Sequence, residues 1–220
     1  MLRAFIDGLP RLAFHDELAG AVAKRGAAID RLASSGPYDA ILDALLAPDG
    51  MNYGALPKGL VAFHRDGDDV RTAFDEHLVD AGRLYRGARG DCRVHFTVSD
   101  DHRARFDARL AEVRPRLEAR LGATLDVTFS VQDPATDTLA IDADGAPART
   151  GDGALLLRPA GHGALIRNLA SVPTAVAFVR NVDNIAAEAY RAPAIEYARV
   201  LIGRLCELRE RAHELFVRAR

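Results

Sequence analysis

The chain has 220 residues, of which 49% are hydrophobic and 27% are charged, and its formal net charge at pH 7 is −2. This composition is typical of a globular α/β domain, and a near-neutral charge with dispersed basic residues argues against nucleic-acid binding. No apolar run approaches the roughly 20 residues of a membrane-spanning helix, and the N-terminus lacks the apolar segment of a signal peptide. Cys92 and Cys206 have no metal-binding spacing, so we expect reduced thiols and a cytoplasmic protein.

Residues 1–50 are predicted to form a helical segment. Apolar residues recur at helical spacing up to a break at Pro10, and further helices are predicted over residues 16–32 and 38–46. The apolar faces of these helices need a packing partner. We therefore expect the segment to pack on an α/β domain that spans residues 51–190.

The α/β domain is predicted to begin with a strand over Gly59–Phe63 and a helix over residues 73–82, which Thr72 caps with Glu76 close to a capping-box position. A strand over Arg93–Val98 follows, and then a helix for which Ser99 is the predicted N-cap. This helix has an apolar stripe from Phe106 to Leu121 and is predicted to end at Gly122. The next strand is predicted over Leu125–Val131. This strand–helix–strand order predicts a parallel pair with a right-handed crossover.

The last third of the chain alternates short elements with turns. It is predicted to contain strands over Asp137–Ile141 and Ala154–Arg158, a glycine-rich turn over Pro159–Gly163 that opens a short helix, a buried strand over Ala175–Val179, and a C-terminal helix over residues 191–220. Apolar residues recur in that last helix at Leu201, Leu205, Leu208, Ala212 and Leu215. This spacing is typical of a face that packs on a core or on a partner.

The glycine turn and the residues after the predicted strand Ala175–Val179 are the best candidates for a ligand site. Gly161 and Gly163 allow a ligand to approach the backbone, and the helix after them offers unpaired N–H groups. His162 is a candidate donor to a phosphate or a base, although a histidine bonded only to backbone is the alternative. An ordinary turn between two elements also explains the glycines.

Asp183 is the candidate metal ligand. A carboxylate just past the end of a strand lies where α/β sheets bind ligands, and Mg²⁺ prefers carboxylate and phosphate oxygens. Asn181 and Asn184 are placed to orient that carboxylate or a ribose hydroxyl. The alternative is that Asp183 caps the next helix.

Lysine is rare in this chain, because 27 of the 29 basic residues are arginine and only Lys24 and Lys58 are lysine. A lysine that persists under such a bias indicates a position that needs a compact ammonium. Lys58 lies between Pro57 and Gly59, which we expect to form a slot that an arginine does not fit. Lys24 lies on a polar helix face and carries no functional prediction.

Three other patterns point less clearly to function. His64 and His77 lack the spacing of a zinc site. Gln132 opens a polar run that continues through residues 136–138, and this run fits a ligand loop or a plain turn. Ser99 precedes two acids and His102, but such a run is typical of a helix N-terminus, so no nucleophile–base pair is predicted.

Together these segments resemble a known family. The run PAGHGALIRNL followed by AVAFVRNVDN is similar to the uracil-binding glycine turn and metal-site strand of UDP-sugar pyrophosphorylases, which are nucleotidyltransferases. The chain as a whole resembles the bacterial domain-of-unknown-function 4301 family. That likeness is carried by residues 52–60, 76–79, 94–99, 136–140 and 158–184.

The resemblance implies a GT-A-like (nucleotide-diphospho-sugar transferase-like) α/β fold, in which a mixed, mostly parallel sheet is flanked by helices and binds a nucleotide or nucleotide-sugar with Mg²⁺. The residues implied for the nucleotide are Gly161, His162, Gly163, Gln132 and Asn181; Asp183 is implied for the metal, and Lys58 and Arg71 are the candidate catalytic cations. Such chemistry requires positioning and charge stabilisation and no protein nucleophile.

Two departures from the nucleotidyltransferase pattern support an alternative function. No glycine-rich, arginine-containing phosphate loop precedes the helical segment, and Ala160 replaces the second glycine of the usual Pro-Gly-Gly-His-Gly run. On this alternative the chain is a fragment of a longer family member or a short paralogue. It then serves as a non-catalytic interaction module that forms homo-oligomers through its terminal helices.

Overall fold

The computed structural model describes residues 2–87, 89–159 and 161–219, and the side chain of His162 lies outside the described part. Within these residues the chain is a mixed α/β protein with eight α-helices and three two-stranded sheets. The helices are α1 (Leu2–Gly8), α2 (His15–Lys24), α3 (Ile29–Ser35), α4 (Asp39–Leu46), α5 (Ala73–Leu84), α6 (Arg103–Leu121), α7 (Ile166–Ser171) and α8 (Glu188–Arg218). The strands are β1 (Ala62–Asp66), β2 (Asp69–Thr72), β3 (Asp91–Val98), β4 (Thr124–Val131), β5 (Thr138–Leu139) and β6 (Leu157–Arg158).

Helices α1 to α4 have a hydrophobic core of their own. Ile6, Leu18 and Ile41 are fully buried in a cluster formed entirely by residues of this segment. The predicted helix over residues 16–32 is divided in two, because Gly26 adopts a φ of +79°, which glycine tolerates and which ends α2. The apolar faces of this segment therefore pack mainly on one another, and the cluster that includes α5 and α6 is a second core.

Strands β1 and β2 form an antiparallel hairpin that leads directly into α5. The first of these strands begins three residues later than predicted, because Lys58–Leu60 form a short 3-10 turn. Thr72 caps α5 as predicted, but the reciprocal partner is Asp75 and not Glu76. The Thr72 hydroxyl accepts from the Asp75 N–H at 3.2 Å, and the Asp75 carboxylate accepts from the Thr72 N–H at 2.9 Å.

The β3–α6–β4 unit confirms the predicted parallel pair. Its register runs from Asp91 opposite Thr124 to Val98 opposite Val131. Four residues of the predicted stripe on α6 are buried, namely Phe106, Leu110, Val113 and Leu117. The helix ends at Gly122, whose φ of +59° places it in the left-handed region that favours glycine.

The two faces of the β3–β4 pair differ in polarity. One face, which includes Cys92, Phe96, Leu125 and Phe129, belongs to the core cluster with α5 and α6. The opposite face carries Arg93, His95, Thr97, Asp126, Thr128 and Ser130. A sheet flanked by helices on both sides needs apolar residues on both faces. The described residues accordingly form separate two-stranded sheets with one parallel pair, and not the mixed, mostly parallel sheet that the sequence suggested.

The predicted strand over Ala175–Val179 is wrong, because these residues have no ladder partner among the described residues. Val179, which was expected to be buried, is 69% exposed. Asp183 therefore follows an irregular segment and not a strand. The predicted strands over Asp137–Ile141 and Ala154–Arg158 exist in shorter form as β5 and β6, which pair antiparallel.

Helix α8 is the longest element and extends beyond the core. Arg191 and Ala198 are the buried residues of this helix, and every described residue after Ala198 is at least partly exposed. The first turns of α8 pack on α5. Among the helices of the described residues, none combines the length and the apolarity that crossing a bilayer requires.

Candidate functional site

Lys58 and Asp183 lie 125 residues apart in the chain, yet they form an ion pair with 3.1 Å between Nζ and Oδ2. Their side chains are 73% and 43% exposed. The two residues predicted to serve phosphate and metal are thus brought together at the surface. An exposed pair of this kind is worth only about 0.2–1 kcal/mol, so a competing ligand opens it at little cost.

The packing of two loops explains this approach. A Cβ on Gly59 would lie 2.9 Å from the Phe106 ring and 3.3 Å from the Val182 side chain, so the glycine permits the close contact. The carbonyl of Val182 accepts a hydrogen bond from Nε2 of His77 on α5 at 3.0 Å. Because Phe106 lies in the first turn of α6, which begins shortly after β3 ends, the ion pair lies at the carboxyl-terminal end of the parallel strands.

The described residues do not form the expected slot around Lys58. Its side chain is largely exposed, and Gly59 faces Phe106 and Val182 instead of lining a pocket for the ammonium. A guanidinium therefore fits at this position as well. Steric fit therefore does not explain why this position carries a lysine in a chain where lysine is rare.

A hydrogen-bonded network lies on the polar face of the β3–β4 pair. His95 contacts the Thr128 hydroxyl through Nδ1 and the Ser130 hydroxyl through Nε2, both at 2.8 Å. The Asn168 amide of α7 donates to Ser130 Oγ at 2.8 Å and to the Val131 carbonyl at 2.9 Å. Since Ser130 and Val131 end β4, α7 is fixed at the carboxyl-terminal end of the strands.

Asn168 carries the one unsatisfied group of this network. The residue is buried, and its Oδ1 has no hydrogen-bond partner among the described residues. A buried acceptor without a partner is destabilising, and such groups in native proteins often serve a ligand. The glycine turn precedes this helix, and a Cβ on Gly161 or Gly163 would contact no described atom within 4 Å.

The approach of His95 to Ser130 has the distance of a nucleophile–base pair, which the sequence did not predict. Two contacts argue against that function. The other nitrogen of His95 meets the Thr128 hydroxyl instead of an orienting carboxylate, and Ser130 Oγ already accepts from Asn168. We interpret the network as a polar hydrogen-bonding surface.

Burial lowers the pKa of His95 below its ordinary value of about 6.5. We expect an NMR titration of the His95 ring to give a midpoint below that value. Because the unfolded chain binds this proton more readily, the contribution of His95 to stability is complete above about pH 6.5 and declines as the pH falls towards the folded pKa. Burial also lowers the pKa of His77, so His95→Gln is expected to reduce this pH dependence without abolishing it. A midpoint at or above about 6.5 would contradict the prediction.

The remaining predicted nucleotide residues lie near the same strand end or on the surface. Gln132 directly follows β4, and its amide donates to the Asp137 carboxylate at 3.0 Å. The Asn181 carbonyl accepts from the Asn184 N–H at 3.0 Å, which closes a turn around Asp183. The side chain of His162 lies outside the described part, so its predicted contact has no structural description.

Arg71, the second candidate catalytic cation, is fully buried and not open to a ligand. Its guanidinium pairs with Asp66, with Asp69 at 2.8 Å and with Glu188 at 3.4 Å. Burial disfavours its charge, but Asp69, Glu76 and Asp66 outweigh that effect and raise its pKa. Arg71 therefore joins β1, β2 and α8, and we assign it a structural role.

The donor set around Asp183 limits which metal fits. The described residues contain no group of three or more His, Cys, Asp or Glu side chains able to hold a metal ion. Octahedral Mg²⁺ accepts a single protein carboxylate when phosphate oxygens and waters complete its shell. The site therefore fits a cation that arrives with a phosphate ligand, and it does not fit resident zinc.

This polar network was not predicted from the sequence. The signal was present in the alternation of polar and apolar residues along both strands, which places His95, Thr128 and Ser130 on one face once the parallel register is known. The contribution of Asn168 has no sequence signal, because it depends on where α7 packs.

Comparison with known protein families matches residues 1–219 to the family described as Domain of unknown function (DUF4301). The match covers nearly the whole chain. No curated protein and no solved structure matches the chain significantly. The likeness to UDP-sugar pyrophosphorylases stays a prediction.

Proposed function

We propose that this chain, which belongs to the DUF4301 family, binds a nucleotide or nucleotide-sugar together with Mg²⁺ at the carboxyl-terminal end of β3 and β4. The observation that carries the proposal is the ion pair between Lys58 and Asp183 at that end. Open α/β sheets bind ligands at the carboxyl ends of their strands, and here one cation and one anion meet there.

Binding is proposed to occur by exchange of partners. The phosphate takes the Lys58 ammonium, and the Asp183 carboxylate binds the cation that accompanies the phosphate. Each charge keeps a partner of opposite sign in the free and bound states, so the exchange leaves no uncompensated charge. A cation bound in this way would neutralise phosphate oxygens.

The polar face of the strand pair is proposed to hold the uncharged part of the ligand. The unsatisfied Oδ1 of Asn168 is an acceptor for a hydroxyl or a base N–H, and the bonds of its amide to Ser130 and Val131 fix its position. On this proposal the β3–α6–β4 unit is the nucleotide-binding part of a GT-A-like fold. Its catalytic contribution would be positioning and charge stabilisation.

Removal of either member of the ion pair is expected to weaken ligand binding. Titration calorimetry with MgUTP and with UDP-glucose plus Mg²⁺ should show Lys58→Ala binding roughly 1–3 kcal/mol more weakly, the scale of a lost charged hydrogen bond. Lys58→Arg should retain most of the affinity, because the side chain is exposed. Asp183→Asn should remove the dependence on Mg²⁺.

Lys24→Ala is the matched control, since it removes the other lysine from a helix on the separate N-terminal core and is expected to leave the affinity unchanged. Melting temperatures of all these variants should stay close to that of the parent chain. If the parent chain binds neither nucleotide, the proposal is overturned. Equal binding by Lys58→Ala and the parent overturns the site assignment.

A further inference from the structure

The second half of α8 exposes an ordered row of large apolar side chains. Leu201, Leu205, Leu208 and Leu215 are between 48% and 64% exposed, although their spacing of 4, 3 and 7 residues keeps them on one side of the helix. Exposed apolar residues that stand singly need no explanation, but a row at helical spacing indicates a binding surface.

This leucine row continues a face that is already packed. Arg191 and Ala198 are the buried residues of α8, and Leu205 lies seven residues after Ala198, two full turns along the same side. In heptad terms Ala198, Leu205 and Ala212 occupy a positions, and Leu201, Leu208 and Leu215 occupy d positions. The side of α8 that packs on the core thus continues, beyond Ala198, as a heptad seam that the described residues leave exposed.

The charged residues that flank this seam are all basic. The g positions are Arg204, Arg211 and Arg218, and the e positions are Ile202, Arg209 and Phe216. No acid occupies a flanking position between residues 201 and 218, because Glu207, Glu210 and Glu214 lie at c and f positions on the outer side. Arg204 pairs with Glu207 at 2.9 Å, whereas Arg209 and Arg211 form no ion pair with another described residue.

We propose that the leucine row of α8 is the docking surface for an amphipathic helix of another protein whose flanking positions are acidic. Flanking charges select partners in helix pairs, since opposite charges attract across the seam and like charges repel. Arginine at all three g positions and at one e position therefore favours glutamate or aspartate at the facing positions of the partner.

The same charges disfavour a second copy of this chain as the occupant. In a parallel pair of two copies Arg204 would face Arg209 of the second copy, and in an antiparallel pair the arginines at g would face one another, so arginine meets arginine in both cases. A lipid surface is also disfavoured. Helices that lie in a membrane interface present a basic polar face, whereas the polar side of this helix carries the three glutamates Glu207, Glu210 and Glu214.

The test uses the full chain and two fluorescent probe peptides of about four heptads, each with leucine at a and d. One probe has glutamate at every e and g position, and the other has lysine there. Fluorescence anisotropy is expected to show the acidic probe binding at least about tenfold more tightly, a difference of about 1.4 kcal/mol. The triple variant Arg204→Glu, Arg209→Glu, Arg211→Glu should reverse this preference.

Two further variants separate the seam from the rest of the helix. Leu205→Asp should abolish binding of the acidic probe without unfolding the chain, because the side chain is half exposed, and circular dichroism checks the fold. Glu210→Gln on the outer side of the helix should leave the affinity unchanged. Equal affinity for both probes, or binding of neither, overturns the proposal.

Two other measurements identify a different occupant. If the chain sediments as a dimer that Leu205→Asp dissociates, the seam binds a second copy. If it cosediments with vesicles of phosphatidylcholine and phosphatidylserine and Leu205→Asp prevents this, the seam binds a lipid surface. Either result overturns the proposal.

Discussion

Replacement of Arg191 by methionine is expected to lower the free energy of unfolding by about 3–5 kcal/mol, the scale seen when one partner of a buried ion pair is removed. Arg191 is 1% exposed and pairs with Glu76 and Asp80 of α5, as well as with Glu188 at 3.1 Å. Methionine has a similar length but no charge, so the variant leaves Glu76 and Asp80 buried without this cation.

The expected loss is large because the neighbouring cations are already engaged. Arg180 pairs with Asp80, and Arg71 pairs with carboxylates of the hairpin. Arg71 also lies 3.7 Å from Glu76, so it and Arg180 already contribute to the two carboxylates and add no new contact when Arg191 is removed. The same contacts hold the first turns of α8 on α5, so the variant should also loosen the base of that helix.

Urea unfolding followed by circular dichroism measures this effect. The matched control is Arg204→Met, which removes another arginine of α8 whose ion pair with Glu207 is exposed, and it should change stability by no more than about 0.5 kcal/mol. A loss below about 1 kcal/mol for Arg191→Met would show that the buried ion pairs of Arg191 do not hold α8 on α5.

Phe74→Ala is expected to lower the free energy of unfolding by a similar amount, about 3–5 kcal/mol. The Phe74 side chain is fully buried, and its ring centroid lies 4.7 Å from that of Phe96, 5.5 Å from Phe106 and 6.1 Å from Phe129. These rings belong to β3, α6 and β4, so Phe74 of α5 contacts every element of the parallel unit. Truncation leaves a cavity where the four elements meet.

The control for Phe74→Ala is Phe216→Ala, which removes a phenylalanine from the exposed part of α8. We expect this variant to unfold within about 0.5 kcal/mol of the parent chain. Comparable losses for the two variants would show that the aromatic cluster does not hold the parallel unit together.

The proposed site depends on both groups of contacts, the aromatic cluster around Phe74 and the ion pairs around Arg191. The aromatic cluster sets the positions of β3, β4 and α6, and Gly59 packs on Phe106 of that cluster to bring Lys58 to the strand ends. The ion pairs around Arg191 include Arg180, which pairs with Asp80 and belongs to the same segment as Asp183. Ligand binding by Phe74→Ala should therefore weaken along with its stability, whereas Lys58→Ala should affect binding alone.

The sequence by itself determined the elements that depend on local interactions. The stripe on α6, its end at Gly122, the Thr72 cap and the β3–α6–β4 order were all predicted correctly, because helical periodicity, caps and left-handed glycines act within a few residues. Lys58 and Asp183 were singled out on the same basis, from composition and local context.

Only the tertiary structure decided which of these residues meet. Residues 175–179 have the composition of a strand but no ladder partner in the described chain, and a strand exists only when another edge satisfies its backbone. Arg71 and Arg191 look like any other arginines of the chain, and their burial follows from the packing of α8 against α5 and the hairpin. The periodicity of the leucine row predicted a packed face. Whether that face met a core or remained open depended on the length of α8 beyond its contacts, which no local pattern records.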